Sequence, residues 1–150
     1  MRLTTFSDYS LRVLIYLASA PEGRATIAEI ARGFDVSENH LVKVVHLLGR
    51  IGVLVNTRGR GGGLRLAAPP SSINVGRVVR ATESAEIAEC FDRESNTCAL
   101  AGRCRLEVVL HEAVEAFYAV LERHTLADLV ANRRQIATLL AMPPRRAAHA

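Results

Sequence analysis

Residues 26–66 read TIAEIARGFDVSENHLVKVVHLLGRIGVLVNTRGRGGGLRL, a stretch in which helix-starting and helix-ending residues alternate. Thr26 and Glu29 stand three residues apart in the capping-box pattern that begins a helix, and we expect this short helix to end at Gly33. Ser37 is a favourable N-cap residue for a second helix that extends to about residue 51. The segment therefore predicts two consecutive helices joined by a short turn.

A β-hairpin is predicted directly after these helices. Residues 53–56 and 64–67 are short runs rich in Val and Leu, and TRGRGGG separates them at 57–63. Such runs around a glycine-rich turn are typical of two paired strands. With a further helix predicted over residues 4–18, the order of elements is that of a winged helix-turn-helix, a mainly α fold with a small β-hairpin wing.

The remaining chain is predicted to be helical apart from one irregular segment. Asn74 is placed to cap a helix that ends near residue 82, and Thr125 is placed to begin another. Residues 104–124 form a long amphipathic helix of the kind that pairs with a partner helix. Its apolar stripe comprises Leu106, Val109, Leu110, Ala113, Phe117, Val120 and Leu121.

We accordingly expect four segments along the chain. Residues 1–68 form the winged helix-turn-helix, and residues 69–103 contain a linker, a short helix and a loop with cysteines. Residues 104–142 form a dimerisation helix followed by a C-terminal helical segment, and residues 143–150 form a disordered tail.

The composition argues against several classes of protein. Apolar residues make up 49% of the 150-residue chain, which argues against global disorder. The apolar run over residues 11–18 is short and contains Arg12, so we expect a cytoplasmic protein with neither a signal peptide nor a membrane span. Three cysteines in such a chain favour a metal or redox site over a disulfide framework. No constellation of catalytic residues is recognisable, so we do not expect an enzyme.

The excess positive charge lies in the N-terminal part of the chain. Residues 1–66 contain nine Lys or Arg and five Asp or Glu, a net charge of +4, whereas residues 67–150 contain ten of each kind. A basic module indicates a polyanionic partner such as nucleic acid, although surface charge also serves solubility.

The helix that begins at Ser37 has side chains suited to reading double-stranded DNA. In a winged helix-turn-helix the N-terminal end of this helix enters the major groove. Asn39 can pair with adenine in a bidentate manner, and Lys43 can reach guanine or phosphate. Ser37 and His40 lie on the same early turns, where the positive helix N-terminus also favours a phosphate.

The tip of the hairpin supplies a second predicted DNA contact. Arg58 and Arg60, set among glycines that include Gly61, can enter a minor groove because glycine lets the backbone approach closely. The alternative is a winged helix that binds another protein, in which the glycines only turn the chain. The basic residues of both elements together favour DNA as the partner.

Cys90, Cys98 and Cys104 place three soft thiolate ligands within fifteen residues, the cysteine loop. An iron–sulfur cluster ranks first, because three thiolates supply all but one of the ligands that a four-iron cluster usually takes. A thiol redox switch ranks second, and zinc ranks third because Cys-x2-Cys spacing is missing. The remaining ligand would be a carboxylate, a histidine or a small molecule. Carboxylates in the same loop are Glu89, Asp92 and Glu94.

With these features combined, the chain resembles the winged-helix iron–sulfur regulators that include IscR and NsrR. The resemblance covers nearly the whole chain. It rests on residues 1–4, 36–37 and 39–44, on the glycine-rich wing at 59–66, on the three cysteines and on residues 126–129.

Residues 6–9 and 39–43 make the chain similar to the NsrR branch of this family, which senses nitric oxide. The resemblance implies a homodimer on a palindromic operator, with a [4Fe–4S] cluster or, as the alternative, a [2Fe–2S] cluster. It implies that the three cysteines are ligands and that Asp8, donated by the partner subunit, is the fourth ligand. Loss of the Asp8 link in response to nitric oxide would then lower the affinity for DNA.

The sequence lacks one residue of the IscR branch and departs from the family pattern in one spacing. The IscR branch has a histidine three residues after its last cysteine, and here that position is Glu107. The seven residues between Cys90 and Cys98 are a longer spacing than is typical of the family.

Arg12 follows Asp8 by four residues, the spacing of an ordinary helical ion pair, and we expect it to orient that carboxylate. Iron supply or thiol oxidation is the alternative input.

Overall fold

The computed structural model describes residues 2–57, 59, 62–83, 87–92, 94 and 96–142. The predicted mainly α fold with one β-hairpin is confirmed. The hairpin lies between the third and fourth helices, and short 3₁₀ turns occur at Pro70–Ser72 and Glu89–Phe91. The elements are α1 (Thr5–Ser19), α2 (Ile27–Phe34), α3 (Glu38–Arg50), β1 (Leu54–Thr57), β2 (Gly63–Leu66), α4 (Val75–Thr82), α5 (Arg105–Glu122), α6 (Leu126–Leu129) and α7 (Arg133–Leu139).

Side-chain caps define where the first helices begin. The Thr4 hydroxyl accepts a hydrogen bond from the Ser7 N–H at 3.2 Å at the start of α1. The predicted capping box of α2 is confirmed, because the Glu29 carboxylate accepts from the Thr26 N–H at 2.7 Å and the Thr26 hydroxyl accepts from the Glu29 N–H at 3.2 Å. Ser37 takes the predicted N-cap position of α3.

The predicted end of α2 at Gly33 is wrong. The helix continues to Phe34, and Asp35 adopts the left-handed conformation at φ 52° that ends it. The glycine is required for a different reason, since a Cβ atom at position 33 would lie 2.9 Å from the Tyr16 ring of α1. Gly33 therefore permits close packing of α2 against α1.

The wing is an antiparallel hairpin whose strands lie within one residue of their predicted positions. Leu54 pairs with Leu66, and the side chains of Leu54 and Leu64 are buried in the core. Backbone hydrogen bonds of 3.1 and 2.8 Å join Leu64 to Ala25, just before α2. At the neighbouring Gly63, with φ 137°, a Cβ atom would lie 3.0 Å from the Ala25 carbonyl oxygen. The hairpin is thus attached to the helical part by its second strand.

The main core is built around α1. This helix packs against α2, α3, α4, α6, α7 and β2. Burial of one side of α3 leaves its opposite side facing solvent. The fully buried apolar side chains include Val13, Leu14, Leu17, Ile30, Leu41, Val44 and Leu48.

A second apolar cluster joins α4 to α5. Val75 and Val79 of α4 pack with Val114 and Tyr118 of α5, and all four side chains are buried. Because α4 also packs on α1, it is a structural link between the winged helix and α5.

The guanidinium of Arg80 fixes α4 against α5. It donates to both carboxylate oxygens of Glu115, at 3.0 and 2.7 Å, and its Nε donates to Glu122 at 2.8 Å. It also lies over the Tyr118 ring, with Cζ 4.1 Å from the ring centroid. The hydrogen bonds with Arg80 lower the pKa of Glu115, and those with Glu115 and Glu122 raise the pKa of Arg80. A planar group held on three sides restricts both sliding and rotation of the two helices.

The C-terminal part folds back onto α1. Thr125 begins α6 as predicted, with its N–H donating to the Asp128 carboxylate at 2.7 Å, and α7 packs against α1. The predicted tail at residues 143–150 lies outside the described residues. Within the described ranges, each helix is either too short or too polar to cross a lipid bilayer.

Gly76 offers a test of the α4–α5 contact. A Cβ atom at this position would lie 2.6 Å from the backbone nitrogen of Glu122 and also against its Cγ. We expect Gly76→Ala to lower the free energy of unfolding by about 1–3 kcal/mol, because the α5 backbone has to shift. Gly49→Ala is the matched control, since a Cβ atom there meets nothing within 4 Å in the described chain, and it should be neutral or stabilise by about 0.5–1 kcal/mol. Equal stabilities of the two variants in urea unfolding would contradict the contact.

Candidate nucleic-acid interface and cysteine loop

The predicted DNA-reading residues lie on the exposed part of α3. Ser37, Asn39, His40 and Lys43 are all solvent-exposed at or near the N-terminal end of the helix. The amide of Asn39 and the ammonium of Lys43 are therefore available to hydrogen-bond with base edges or phosphates.

The outward face of α3 contains three further residues that the sequence analysis missed. Val42, His46 and Arg50 are exposed, and Val42 has an exposed fraction of 51% although it is apolar. Their spacing from Asn39 places them on the same side of the helix, and this spacing is the sequence feature from which they could have been predicted. An exposed valine in this position can contact a thymine methyl group, and the two basic side chains can reach phosphates.

A series of side-chain contacts connects Asp8 with the start of α3. The expected ion pair is present, with 2.8 Å between Arg12 Nη2 and Asp8 Oδ2. The Arg12 guanidinium lies 5.6 Å from the ring centroid of Tyr9 and 5.7 Å from that of Phe34. The Tyr9 ring in turn lies 6.2 Å from that of His40. About two fifths of each side chain of the ion pair is exposed, so Asp8 is accessible from outside the chain.

The base of the wing is held by an arginine that the sequence analysis missed. Arg24, in the turn before α2, pairs with Glu22 at 2.6 Å and donates to the Gly62 carbonyl at 3.3 Å. No local pattern signals this contact, because Arg24 and Gly62 are 38 residues apart. The predicted tip residues Arg58, Arg60 and Gly61 lie outside the described residues.

The three cysteines are free thiols in or next to irregular backbone. Cys90 is half-buried in the 3₁₀ turn, Cys98 is exposed, and Cys104 is half-buried at the N-cap of α5. In the described part of the single chain, no group of three or more His, Cys, Asp or Glu side chains lies close enough together to hold a metal ion. The structure of the single chain therefore does not gather the three cysteines, or the cysteines with Asp8, into one site.

The chemistry of this donor set nevertheless fits an iron–sulfur cluster. Three unpaired thiols lie within one short segment, and thiolates are the usual ligands of such clusters. Cys104 lies at the N-terminus of an 18-residue helix, whose dipole favours the negative charge of a thiolate-bound cluster.

One contact fastens the cysteine loop to α5, and a second fastens the end of α4 that precedes the loop. Phe91 stacks on His111 of α5 at 4.1 Å between ring centroids and packs against the second apolar cluster. At the end of α4, the Glu83 carboxylate accepts from the Thr4 N–H and from the Thr4 hydroxyl, both at 3.0 Å. The loop is thus attached to the side of α5, and the end of α4 is attached to the N-terminus of α1.

Two of the nearby carboxylates already shape the loop. One oxygen of Glu89 accepts from the N–H and from the hydroxyl of Thr97, both at 2.6 Å. These hydrogen bonds hold the pKa of Glu89 below its usual value. Asp92 accepts from the Glu94 N–H at 3.0 Å. Both carboxylates therefore have hydrogen-bonding roles within the loop.

Comparison with known proteins extends over nearly the whole chain. Residues 3–132 match the Rrf2 family, described as iron-dependent transcriptional regulators. The chain is 49% identical over 144 residues to the HTH-type transcriptional regulator NsrR of Bacillus subtilis, covering 95% of this chain and 99% of that one. It is 46% identical over 146 residues to NsrR of Halalkalibacterium halodurans, covering 96% and 100%. These names denote transcriptional regulators, in agreement with the expectation that the chain is not an enzyme.

Solved structures share the fold. IscR of T. potens is similar with a TM-score of 0.71 at 24% identity, over 88% of both chains. CymR, the global cysteine regulator of B. subtilis, is similar with a TM-score of 0.64 at 28% identity, over 88% of this chain and 98% of that one. The family match begins before α1 and ends beyond α6, so the chain belongs to the Rrf2 family of transcriptional regulators.

Proposed function

We propose that the chain is a cytoplasmic, homodimeric transcriptional repressor that binds a palindromic operator and releases it in response to nitric oxide. The observation that carries this proposal is the near-full-length similarity to regulators named NsrR, in a chain whose three cysteines all lie within residues 90–104. The basic, exposed face of α3 supports DNA as the partner.

In this proposal the three cysteines of the loop hold an iron–sulfur cluster, [4Fe–4S] or alternatively [2Fe–2S]. When bound, the cluster supplies iron that reacts with nitric oxide. Asp8 of the partner subunit provides the remaining oxygen ligand, a role that its exposure on α1 supports. Arg12 orients the Asp8 carboxylate through their 2.8 Å ion pair.

The contacts around Arg12 provide a route from Asp8 to DNA. Arg12 lies beside Tyr9, and Tyr9 lies beside His40 at the end of α3 that would enter the major groove. A change in the position of Asp8 therefore alters the packing that orients α3. The proposed DNA contacts are Ser37, Asn39, His40 and Lys43 on α3, with Arg58, Arg60 and Gly61 at the wing tip.

The outward face of α5 supports the homodimer. The predicted stripe is divided by the structure, because Phe117 and Leu121 pack against the second apolar cluster of the same chain. A separate line of exposed apolar residues follows the 3-4-3-4 spacing of a helix-pairing seam. This outer stripe consists of Leu106, Val109, Ala113, Ala116 and Val120. We propose that it packs against the outer stripe of a second copy.

Two adjacent valines test the dimer. Val109 lies in the outer stripe, whereas Val108 points to another side of α5, and both are more than half exposed. We expect Val109→Glu to produce monomers, because a carboxylate would be buried at the seam, and Val108→Glu to remain dimeric. Sedimentation velocity distinguishes the two outcomes. Dimers of equal stability in both variants would refute the outer stripe as the interface.

Thiol oxidation or iron supply is the second candidate input. The observation that favours oxidation is the exposed, unpaired thiol of Cys98. Oxidation of this thiol would alter the loop that Phe91 attaches to α5.

The input is tested on full-length protein purified without oxygen. We expect native mass spectrometry to show a dimer with four irons and four sulfides per chain, and titrated nitric oxide to shift the mass and abolish operator binding. Peroxide at the same concentration should have the weaker effect. Operator release by peroxide alone, or failure to take up iron and sulfide, would replace the nitric oxide proposal with a thiol switch.

The role of Asp8 is separated from its ion pair by comparing two variants. Asp8→Ala removes both the carboxylate and the ion pair, whereas Arg12→Ala keeps the carboxylate and removes the ion pair together with the ring contacts of Arg12. We expect Asp8→Ala to change the absorption spectrum of the loaded protein and to weaken the response to nitric oxide. Arg12→Ala should keep the spectrum close to that of the parent. Identical spectra for Asp8→Ala and the parent, with full release of DNA, would rule out Asp8 as a ligand.

A further inference from the structure

We propose, as an extension that rests on the proposed function, that Glu89 and Thr97 are positioning residues which close the cysteine loop and hold Cys90 and Cys98 ready for metal. The supporting geometry is a pair of short hydrogen bonds. A single oxygen, Oε1 of Glu89, accepts from the backbone N–H and from the side-chain hydroxyl of Thr97, each at 2.6 Å. Hydrogen bonds to an ionised carboxylate are stronger than those between neutral groups. Here the carboxylate oxygen accepts from both the main chain and the side chain of Thr97.

The position of this contact relative to the cysteines gives it a role. Cys90 directly follows Glu89, and Cys98 directly follows Thr97. Because consecutive Cα atoms are about 3.8 Å apart, the Cα atom of each cysteine lies about that far from the Cα atom of Glu89 or Thr97. The carboxylate thus joins the two points of the chain from which the first two thiols project.

The interior of the closed segment is folded by its own side chains. Asp92 accepts from the Glu94 N–H at 3.0 Å, and Asn96 accepts from the Cys98 N–H at 2.9 Å. Contacts of this kind turn the backbone within two residues. Two local turns therefore shape the described part of the long spacing between the first two cysteines.

The closed segment is also anchored to the helix that begins at the third cysteine. Phe91 stacks on His111 of α5 and packs against the second apolar cluster. Cys104 is the N-cap residue of the same helix. The contact between Glu89 and Thr97 therefore joins the backbone beside two cysteines, on a segment that is attached to the helix of the third.

Closure of the loop before metal binds reduces the conformational entropy that the chain loses on binding. Gathering thiols from an open segment of this length orders many backbone torsions at the moment of binding. With Glu89 bonded to Thr97, part of that ordering takes place when the chain folds. Groups that orient metal ligands from outside the coordination sphere typically change metal affinity by about 10–100-fold when removed.

The experiment uses the metal-free, full-length protein and Cd²⁺ as the probe. Binding is followed by the absorption that arises when thiolates coordinate cadmium. The variants are Glu89→Ala, Thr97→Val, the double variant and the conservative Thr97→Ser, with Glu94→Ala as a control carboxylate in the same loop. Thermal unfolding of each metal-free variant checks that the fold is retained. Loss of iron to a chelator from protein reconstituted with iron and sulfide gives the second readout.

We expect Glu89→Ala to weaken cadmium binding by about 10-fold and to accelerate iron loss, with no change in the spectrum of the loaded protein. Thr97→Val should act in the same direction, and the double variant should be no weaker than Glu89→Ala, because both substitutions remove one shared contact. Thr97→Ser and Glu94→Ala should match the parent. Parental affinity in both Glu89→Ala and Thr97→Val would overturn the proposal.

Two other outcomes are equally decisive. A loss that is confined to Glu89→Ala, with Thr97→Val unchanged, would make Glu89 a metal ligand and overturn its positioning role. Cadmium binding that depends on both residues, in a protein that takes up no iron and sulfide, would support the positioning role while the proposed iron–sulfur function fails.

Discussion

Burial of one side of α1 is the constraint on which the other elements depend. Three apolar side chains of this helix, Val13, Leu14 and Leu17, are almost completely buried, and five other helices and a strand pack around the same helix. Close packing means that none of these elements can move far without repacking against α1. Asp8 and Arg12 lie on the same helix where it remains partly exposed. One helix therefore both organises the core and presents a partly exposed ion pair on its outer side.

The junction between α4 and α5 determines how the outer part of the molecule is oriented relative to the winged helix. Arg80 bonds to two carboxylates of α5 and lies over the Tyr118 ring, while Gly76 lets the two helices approach closely. Such an arrangement is stiff, since rotation would break several charge-assisted hydrogen bonds at once. A pair of α5 helices in a dimer would thus fix the separation of two α3 helices through α4 and α1.

Local patterns predicted most helix starts, because a cap such as Thr26 satisfies backbone groups within three residues of itself. Features that depend on distant parts of the chain were not predictable. Gly33 is explained by the ring of Tyr16 on another helix, and Arg24 is explained by the carbonyl of Gly62 in the wing. Val42 was missed because an apolar residue on a helix is ordinarily assigned to the core. The cysteines were visible as a candidate site from their spacing alone, but the contacts of Phe91 with His111 and of Glu89 with Thr97 in the same segment were not.

The hydrogen bonds between Glu89 and Thr97 also change how the reach of the α4–α5 connection depends on its number of residues. The loop is the covalent tether between α4 and α5, and its reach would ordinarily grow with every added residue. Here one side chain connects residues 89 and 97, so the shortest mechanical path runs through the Glu89 carboxylate and leaves out the residues between them. Residues can be inserted between Glu89 and Thr97, or deleted there, without changing the length of that path. The spacing of the first two cysteines is thereby uncoupled from the distance between the winged helix and α5.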